Sequence, residues 1–433
     1  MNIPKKAVFA LFLATFLAFL PFESASADSG RFFVQSTSNF WKTALGARNV
    51  FEKGFSADLS DFQFRFAKIF GLKVEPVDVL NILQELSPSP TPFVDPIIPS
   101  EAPLSAIVKA ASESLPIPTP AVDTSGKNNA KGRPPIQREE PSDQTPWGIE
   151  AVYNSDLIAS TSGGFGVSIA ILDTGITITH PDLKNRIDDC KDFTSFKSPI
   201  VNGKCEDKNG HGTHVAGIIV ADAGSDGLGI YGIAPLASVS AFKVCGNNGS
   251  CFADDIAVAI RHAADNSINI INMSFGSDAD SSLIRDAVNY AASRGVLMVA
   301  ASGNDGPFVS SIDYPAAYSS VIGVGAFDST IKITEWSSRG DNSETEEFVV
   351  EEKDIEFAMP GENIESTWSN NGYTILSGTS MASPFLTGLA AKYWQADAED
   401  SAAATREFLH SLAQDVDEPG DDDASGWGFP RVK

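Results

Sequence analysis

The chain has 433 residues, and its 56 acidic and 31 basic side chains give a formal net charge of −25 at pH 7. Nucleic acid and anionic membrane surfaces are themselves negative, so this charge argues against both as partners. The same acidity keeps a protein soluble and favours the binding of cations.

The first 27 residues have the pattern of a secretory signal peptide. Lys5 and Lys6 precede an apolar run over residues 7–20, and a stretch of small residues ends at Ala27. This run of 14 residues is too short to span a bilayer, so we expect cleavage after Ala27. No cysteine directly follows to accept a lipid. We therefore expect a secreted protein without a membrane anchor, released into a periplasm or into the medium.

Residues 28–86 alternate between strand-like and helix-like segments. The patterns predict strands over residues 31–35 and 72–77, a helix over 39–50, and a second helix after residues 54–60. We therefore expect a small α+β domain over residues 28–86.

Between residues 87 and 143 the composition changes to Pro, Ser and Thr, with few large apolar residues after Val108. Such a segment cannot bury enough apolar surface to offset the entropy lost on folding. We interpret residues 87–143 as a Pro-rich linker that precedes a main domain over residues 144–433.

The main domain alternates strand and helix patterns. Strands are predicted over residues 166–172, 238–244, 268–272, 296–301 and 321–326, and helices over 211–222, 253–265, 282–293, 381–394 and 402–413. This alternation predicts an α/β fold with a doubly wound parallel sheet and helices on both faces. We interpret the acidic residues 344–354 as an inserted hairpin or, more simply, a solvated surface segment.

Three short motifs carry an Asp, a His and a Ser in that order: residues 171–175, 211–214 and 378–384. Asp173 ends a buried strand, whereas His211 and Ser380 begin helices. Carboxyl ends of parallel strands are where open α/β sheets place their sites, and helix N-termini offer free N–H groups. Each residue taken alone has a structural explanation as a turn former, a packed side chain or an N-cap. Together they indicate serine hydrolase chemistry, since a hydroxyl, an imidazole and a carboxylate are its three parts.

The order of the motifs and their flanking residues resemble the subtilisin-like serine peptidases over residues 144–428. The resemblance implies that Ser380 is the nucleophile, His211 the base and Asp173 the carboxylate that orients the base. A fourth motif at residues 299–306 matches the segment whose Asn donates to the oxyanion, and it implies this role for Asn304. The main domain is then expected to have the subtilisin-like fold.

Two other hydrolase types fit the sequence poorly. His211 and His214 are three residues apart without the Glu of a zinc-binding helix, and we interpret His214 as a packed residue. Ser380 lacks the Gly two residues later that an α/β-hydrolase requires. We interpret His180 as part of a turn, and His262 and His410 as structural.

The four cysteines fit an oxidising compartment. Of the three possible pairings, Cys190 with Cys205 and Cys245 with Cys251 closes the two shortest loops, and we prefer it. Both bonds would brace loops beside the expected cleft.

Residues 54–59 and 74–76 resemble the inhibitor-type propeptide of the same family, although an unrelated α+β module remains the alternative. The resemblance implies that residues 28–86 act as an intramolecular inhibitor. In the family the propeptide normally adjoins the mature enzyme, whereas here the linker intervenes. Cleavage after Arg133, Arg138 or Glu140 is therefore open.

The resemblance also implies a structural Ca²⁺ ion. Asp182 matches a carboxylate ligand, and the loop at residues 226–230 matches a second part of the site, with Asp226 and the carbonyls of Leu228 and Ile230 as ligands. Oxygen ligands of this kind suit Ca²⁺. A plain Asp-Gly turn is the alternative interpretation.

Substrate is expected to lie extended between two strand edges, near residues 246–249 and along Ser274, Phe275 and Gly276, with Gly303 also at the cleft. Asp313 precedes a Tyr-Pro pair, a position that in the family lies at the bottom of the primary specificity pocket. A buried carboxylate there favours Lys or Arg before the scissile bond. If Asp313 points to solvent instead, a broad apolar preference is the alternative.

The sequence thus predicts a secreted, propeptide-controlled, calcium-stabilised serine endopeptidase that acts on peptides as a monomer. A broad degradative peptidase is one alternative. A non-catalytic binding protein on the same fold is another, but such a protein would have lost at least one of Asp173, His211, Asn304 and Ser380.

Overall fold

The computed structural model describes residues 30–84, 137–138, 140–196, 198–344 and 348–433. The predicted signal peptide and most of the linker, including Arg133, lie outside these residues. The described residues divide into two compact units, one within Met1–Asp78 together with those of Phe196–Pro199, and the other within Val79–Ser195 and Ile200–Lys433.

The smaller unit is an α+β module. Its elements are β1 (Gly30–Gln35), α1 (Asn39–Leu45), β2 (Ala47–Phe51), β3 (Gly54–Leu59), α2 (Asp61–Ile69) and β4 (Lys73–Pro76). The sheet has the order β2-β3-β1-β4, and β1 is antiparallel to both β3 and β4. A core that includes Val34, Phe55 and Leu59 is buried in this unit.

The predicted helix over residues 39–50 is wrong in its second half. The helix ends at Leu45, because Gly46 takes a left-handed conformation with φ of 71°. Residues 47–51 then form a strand instead. The second predicted helix begins after Ser60, whose side chain forms a capping box with Gln63.

The larger unit contains an eight-stranded sheet in the order β16-β15-β14-β12-β7-β10-β8-β9. Its strands are β7 (Ser168–Asp173), β8 (Ile187–Asp192), β9 (Val201–Asn202), β10 (Ser238–Lys243), β12 (Ile270–Met273), β14 (Leu297–Ala301), β15 (Ile322–Phe327) and β16 (Phe357–Pro360). Every neighbouring pair is parallel except β8 and β9. The predicted α/β fold with a parallel sheet is confirmed.

Six helices accompany this sheet among the described residues: α3 (Trp147–Tyr153), α4 (His211–Val220), α5 (Ala253–Asp265), α6 (Ser282–Ala292), α7 (Thr379–Lys392) and α8 (Ser401–Leu412). Every residue of α4 is buried, as are the strands β12 and β14. Parallel strands covered on both faces need continuous apolar residues, which is why the sequence shows runs rather than alternation here.

Short sheets complete the unit. One combines β5 (Val79–Ile82), β11 (Ser250–Phe252) and β13 (Phe275–Gly276); a second combines β6 (Gln137–Arg138), β17 (Ile364–Thr367) and β18 (Tyr373–Leu376); a third pairs β19 (Ala413–Gln414) with β20 (Phe429–Pro430).

A 3-10 turn, Asn342–Glu344, leads into the acidic insertion, and no strand occurs in the described part of the insertion at residues 348–354. The hairpin interpretation is therefore wrong for these residues, whose side chains lie mostly at the surface. None of the helices in the described ranges is long and apolar enough to cross a bilayer.

Candidate active site

Asp173 and His211 form a fully buried pair at the carboxyl end of β7, a central strand of the main sheet. Asp173 is the last residue of β7, and His211 is the first residue of α4. The His211 Nδ1 atom lies 2.8 Å from Asp173 Oδ1 and 3.0 Å from Oδ2. A carboxylate on Nδ1 fixes the imidazole tautomer, so that a lone pair remains on Nε2. Nε2 is buried and has no hydrogen-bond partner within the described ranges.

Asp207 holds the loop that presents His211, and our sequence analysis missed it. Its Oδ1 accepts hydrogen bonds from Gly210 N at 2.8 Å and from Thr174 Oγ1 at 2.9 Å. Its Oδ2 accepts from Thr213 N at 3.0 Å and Thr213 Oγ1 at 2.6 Å. The carboxylate therefore ties the turn after Asp173 to the start of α4. The Asp-x-Asn-Gly pattern at residues 207–210, typical of a turn, was the available signal.

Ser380 is the second residue of α7 and is fully buried. Its Oγ donates to the Ser274 carbonyl at 2.7 Å and accepts from the Leu83 amide at 3.0 Å. Its own amide nitrogen lies 3.3 Å from the Leu83 carbonyl oxygen. A helix N-terminus supplies this free N–H, which suits an oxygen that carries negative charge.

Asn304 follows β14 and lies next to the start of α7. Its side-chain carbonyl oxygen accepts hydrogen bonds from Thr379 N at 3.0 Å and from Thr379 Oγ1 at 2.9 Å. Gly303, before it, donates its N–H to the same Thr379 hydroxyl at 3.2 Å. These bonds fix the amide plane and leave its Nδ2–H group as a donor.

The slot expected to bind an extended peptide is filled by β5 of the same chain. β5 is antiparallel to β11 on one side and to β13 on the other. Phe275 and Gly276 form β13 as the sequence analysis expected. The opposite edge is β11 at residues 250–252, since residues 246–249 form the turn before it. β-strand addition is therefore the geometry of this slot.

Asp313 is 2% exposed and does not point to solvent. A carboxylate oxygen from each of Asp278, Asp305 and Asp313 lies within 4.8 Å of the others. Burial raises the pKa of Asp313 to about 8, and the charges of Asp305 and Asp278 add to this effect. Oδ1 of Asp313 has no hydrogen-bond partner within the described residues. A Cβ at Gly276 would lie 2.6 Å from Asp313 Oδ2, so only glycine leaves room for the carboxylate.

The four residues expected to bind calcium come together around the 223–230 loop. Asp182 Oδ2 accepts from Ile230 N at 2.9 Å and from the Tyr373 hydroxyl at 2.9 Å. Asp226 Oδ1 accepts from Leu228 N at 3.1 Å. Burial raises the pKa of Asp182 to about 6, because the site withdraws its charge from water.

Gln144 also contacts this loop, although it lies far from it in the sequence. Its Nε2 donates to the Gly229 carbonyl at 3.0 Å and to the Gly227 carbonyl. The signal in the sequence was its position just before the main domain's first helix, α3.

The remaining histidines have structural partners. His214 Nε2 donates to the Ile364 carbonyl at 3.0 Å, and His180 Nε2 donates to the Gly372 carbonyl at 3.0 Å. Burial lowers the pKa of His214 to about 3 and that of His180 to about 4, so both rings are neutral. His410 contacts the Glu356 carboxylate at 2.7 Å.

The predicted disulfides are confirmed: Cys190 bonds to Cys205, and Cys245 bonds to Cys251. The second bond closes the turn that precedes β11, and it therefore braces one edge of the peptide slot.

Comparison with known proteins gives a consistent result. A family model described as Peptidase_S8, subtilase family, matches residues 164–428. The subtilisin of Bacillus sp. (strain TA39) is 46% identical over 309 residues, covering 67% of this chain and 73% of that protein. Subtilisin Savinase of Lederbergia lenta is 39% identical over 270 residues, covering 62% of this chain and 91% of that protein.

Two solved structures share the fold. Sphericase superposes with a TM-score of 0.66 at 48% identity, covering 68% of this chain and 100% of that one. The S41 psychrophilic protease gives a TM-score of 0.65 at 46% identity, covering 67% and 99%. The family model spans more than half of the chain. The chain therefore belongs to the subtilase family and is a subtilisin-like serine endopeptidase, an enzyme class that acts on peptide substrates.

Proposed function

We propose that the protein is a secreted endopeptidase, made as a zymogen, that cuts peptide bonds through Asp173, His211 and Ser380. The buried Asp173–His211 pair carries this proposal, because the carboxylate 2.8 Å from Nδ1 fixes the imidazole tautomer and leaves Nε2 without a partner in the described residues, ready to accept a proton. Ser380 lies at a neighbouring helix N-terminus beside a chain segment in extended conformation.

In the proposed reaction, Ser380 Oγ adds to the substrate carbonyl carbon while its proton passes to His211 Nε2. His211 then gives the proton to the leaving amine, and an ester to Ser380 remains. Water activated by the same imidazole hydrolyses this ester. Asp173 stays ionised throughout and stabilises the imidazolium. Before attack, the Ser380 hydroxyl exchanges its hydrogen bond to the Ser274 carbonyl for one to His211 Nε2.

The oxyanion would be stabilised by two donors, the Ser380 backbone N–H and the Asn304 Nδ2–H group. The contact of 3.3 Å between Ser380 N and a carbonyl oxygen of the bound segment supports the first donor. The hydrogen bonds from Thr379 to the Asn304 carbonyl oxygen support the second donor, because they orient the amide group before substrate binds.

The zymogen proposal rests on β5, which lies in the slot where a substrate strand would bind. Its pairing with β11 and β13 leaves no edge free for another peptide. The propeptide domain predicted over residues 28–86 then acts as an intramolecular inhibitor until the chain is cut near the end of this domain. The signal peptide at residues 1–27 supports secretion.

The loop around Asp182 fits a Ca²⁺ ion. Asp182 Oδ1 is buried without a partner in the described part of the chain, and a Cβ at Gly229 would lie 1.9 Å from it. Such an oriented, unpaired oxygen is suited to a hard cation. The ion would be held by the carboxylates of Asp182 and Asp226 and by the carbonyls of Leu228 and Ile230. It would stabilise the fold and take no part in the reaction.

The pocket is compatible with two preferences for the residue before the scissile bond, basic or apolar. The buried carboxylate of Asp313, with Asp278 and Asp305 beside it, favours Lys or Arg before the scissile bond. Leu83 supports the apolar alternative, because its Cδ1 lies 2.9 Å from the Cβ position of Gly276, at the same pocket. Neutral, protonated Asp313 is compatible with an apolar side chain, whereas ionised Asp313 is compatible with Lys or Arg.

Digestion of a mixed peptide pool by the purified protein, with all new termini identified by mass spectrometry, tests the proposal. We expect Ser380→Ala to remove every cut, whereas Ser282→Ala, a change at an exposed serine, leaves the cut pattern intact. Cleavage by Ser380→Ala at the wild-type rate would overturn the mechanism. Absence of cleavage by the wild type would support a binding protein on the same fold.

A further inference from the structure

Residues 79–84 follow the strand edges of the cleft in one continuous register. Asn81 pairs with Ser250 on one side and with Gly276 on the other. Ile82 N donates to the Gly249 carbonyl at 3.1 Å. Leu80 is fully buried, so the strand is anchored by a side chain as well as by its backbone. This register determines which residue arrives at Ser380.

Leu83 is that residue. Its amide nitrogen contacts the Ser380 Oγ at 3.0 Å and the Ser274 carbonyl at 3.4 Å. Its carbonyl oxygen accepts from the Ser380 backbone N–H at 3.3 Å. A Cβ at Gly378 would lie 2.4 Å from this carbonyl oxygen and 3.2 Å from the Gln84 Cα. The carbonyl therefore occupies the proposed oxyanion position, and Gln84 lies on the leaving side.

We propose that the bond between Leu83 and Gln84 is the first bond that the enzyme cuts in its own chain. The inference rests on the proposed function, because Ser380 must be the nucleophile. It assigns the processing site to a position that precedes the whole Pro-rich linker. The cleaved enzyme then keeps residues 84–143 as an extension at its amino terminus.

The cut consumes one water molecule. Ser380 Oγ bonds to the Leu83 carbonyl carbon, the Leu83–Gln84 C–N bond breaks, and the hydroxyl proton reaches the Gln84 nitrogen through His211. Water then hydrolyses the Leu83 ester. The products are a carboxylate at Leu83 and an amino terminus at Gln84. The new carboxylate end remains in the slot through the β5 pairing, which is consistent with an inhibitor that outlives its own cleavage.

The alternative cut after Arg138 has different surroundings. The backbone of β6, which contains Arg138, pairs with β18 through Tyr373 and Thr374. Ser142, four residues later, donates its N–H to the Glu365 carboxylate at 3.1 Å. This part of the chain is thus paired with β17 and β18, and not with β11 and β13, whose edges align β5 with Ser380. Cutting there requires the segment to leave its sheet first.

Intact-protein mass spectrometry during maturation of the full chain tests the proposal. We expect the first large product to comprise residues 84–433, with or without cyclisation of its terminal Gln. A first cut after Arg138 would instead give a product of residues 139–433, which is 55 residues shorter than the 84–433 product. A first product that begins between residues 134 and 141 overturns the inference.

Variants of Leu83 sharpen the test. Leu83→Pro removes the N–H that contacts Ser380 Oγ, and we expect the 84–433 product to be lost. Leu83→Met keeps the N–H and an apolar side chain of similar volume, and it should still give the 84–433 product. Arg138→Gln serves as the control and should leave the first product unchanged. An unchanged first product in Leu83→Pro counts against the inference.

A peptide spanning residues 78–88 keeps the test decisive if Leu83→Pro fails to fold. Mature wild-type enzyme should release residues 78–83 from it, and cleavage at another bond contradicts the inference. Ser380→Ala separates the two proposals. If that variant still processes its chain, the proposed function fails. If processing stops in Ser380→Ala but the wild type first cuts elsewhere, only the assignment of Leu83–Gln84 fails.

Discussion

The charge state of Asp313 should control which side chain the enzyme accepts before the scissile bond. Its carboxyl is 2% exposed, and burial together with Asp305 and Asp278 raises its pKa to about 8. Below this pH the group is neutral and compatible with Leu. Above it the group is an anion that a guanidinium can meet. The preference for Arg over Leu should therefore rise with pH.

The pKa gives the size of the effect. With a midpoint near 8, about 3% of Asp313 is ionised at pH 6.5 and about 97% at pH 9.5. The kcat/KM for an Arg substrate follows the free enzyme's ionised fraction. The kcat/KM for the Arg substrate should consequently rise by up to about 30-fold over this range, and the ratio of Arg to Leu kcat/KM by at least the same factor. Release of Leu83 admits water to the pocket, which moves the midpoint below pH 8 without changing the sign.

Two fluorogenic peptides that differ only at the residue before the cut are sufficient for the assay. The ratio of their kcat/KM values cancels every pH effect that the two reactions share, so the effect of the Asp313 charge remains. Asp313→Asn cannot ionise, so its ratio should be independent of pH and should lie close to the low-pH value of the wild type. Asp397→Asn, at an exposed carboxylate, should retain the wild-type profile.

A rise of equal size in Asp313→Asn and the wild type would refute this reasoning, as would a ratio independent of pH in the wild type. Equal ranking of Arg, Lys, Phe and Leu substrates by both enzymes would remove Asp313 from specificity altogether. The apolar preference would then stand.

Three further outcomes are expected. Asn304→Ala should lower kcat by about 10²–10³, the magnitude known for this oxyanion donor in subtilisin. An unchanged kcat in steady-state assays would contradict the role of Asn304 as an oxyanion donor. Ca²⁺ at 100 times its Kd should stabilise the wild type against unfolding by about 2.7 kcal/mol. Asp182→Ala and Asp226→Ala should each reduce the rise in melting temperature that Ca²⁺ causes. A wild-type melting temperature unaffected by chelator would exclude the ion. Asp207→Ala leaves buried N–H groups without an acceptor, so it should lower the free energy of unfolding by at least about 2 kcal/mol. Urea unfolding of the inactive Ser380→Ala protein measures this loss. Glu206→Ala, at an exposed neighbour, should lower the free energy of unfolding only slightly.

Local sequence was sufficient to predict the parallel sheet and the elements that carry Asp173, His211 and Ser380. The buried strands read as apolar runs, and β7 ends at Asp173 as the Asp-Thr-Gly turn indicates. The two disulfides were also predictable, because each closes a short loop whose ends are already close in the chain. The strands, helices and disulfide loops depend on residues that are near in sequence, and the parallel arrangement follows from the alternation of strands with helices.

Other features required the tertiary structure. The pattern over residues 39–50 favoured one helix, but Gly46 and the pairing of β2 with β3 made its second half a strand. Asp207 was overlooked because its role depends on Thr174, which another element brings to it. The burial of Asp313 depends on Gly276 and Gly303, which come from two other segments.

The placement of Leu83 on Ser380 shows the difference most clearly. The two residues are 297 positions apart, and nothing in the composition near Leu83 marks it as a cleavage site. Its position follows from the register of β5 between β11 and β13, which hydrogen bonds to two distant strands determine together. The sequence by itself determined the chemistry available at the site, since motifs encode turns and helix starts locally. Only the tertiary structure decided which peptide bond of the chain lies at Ser380, because register is a property of paired strands and not of either strand alone.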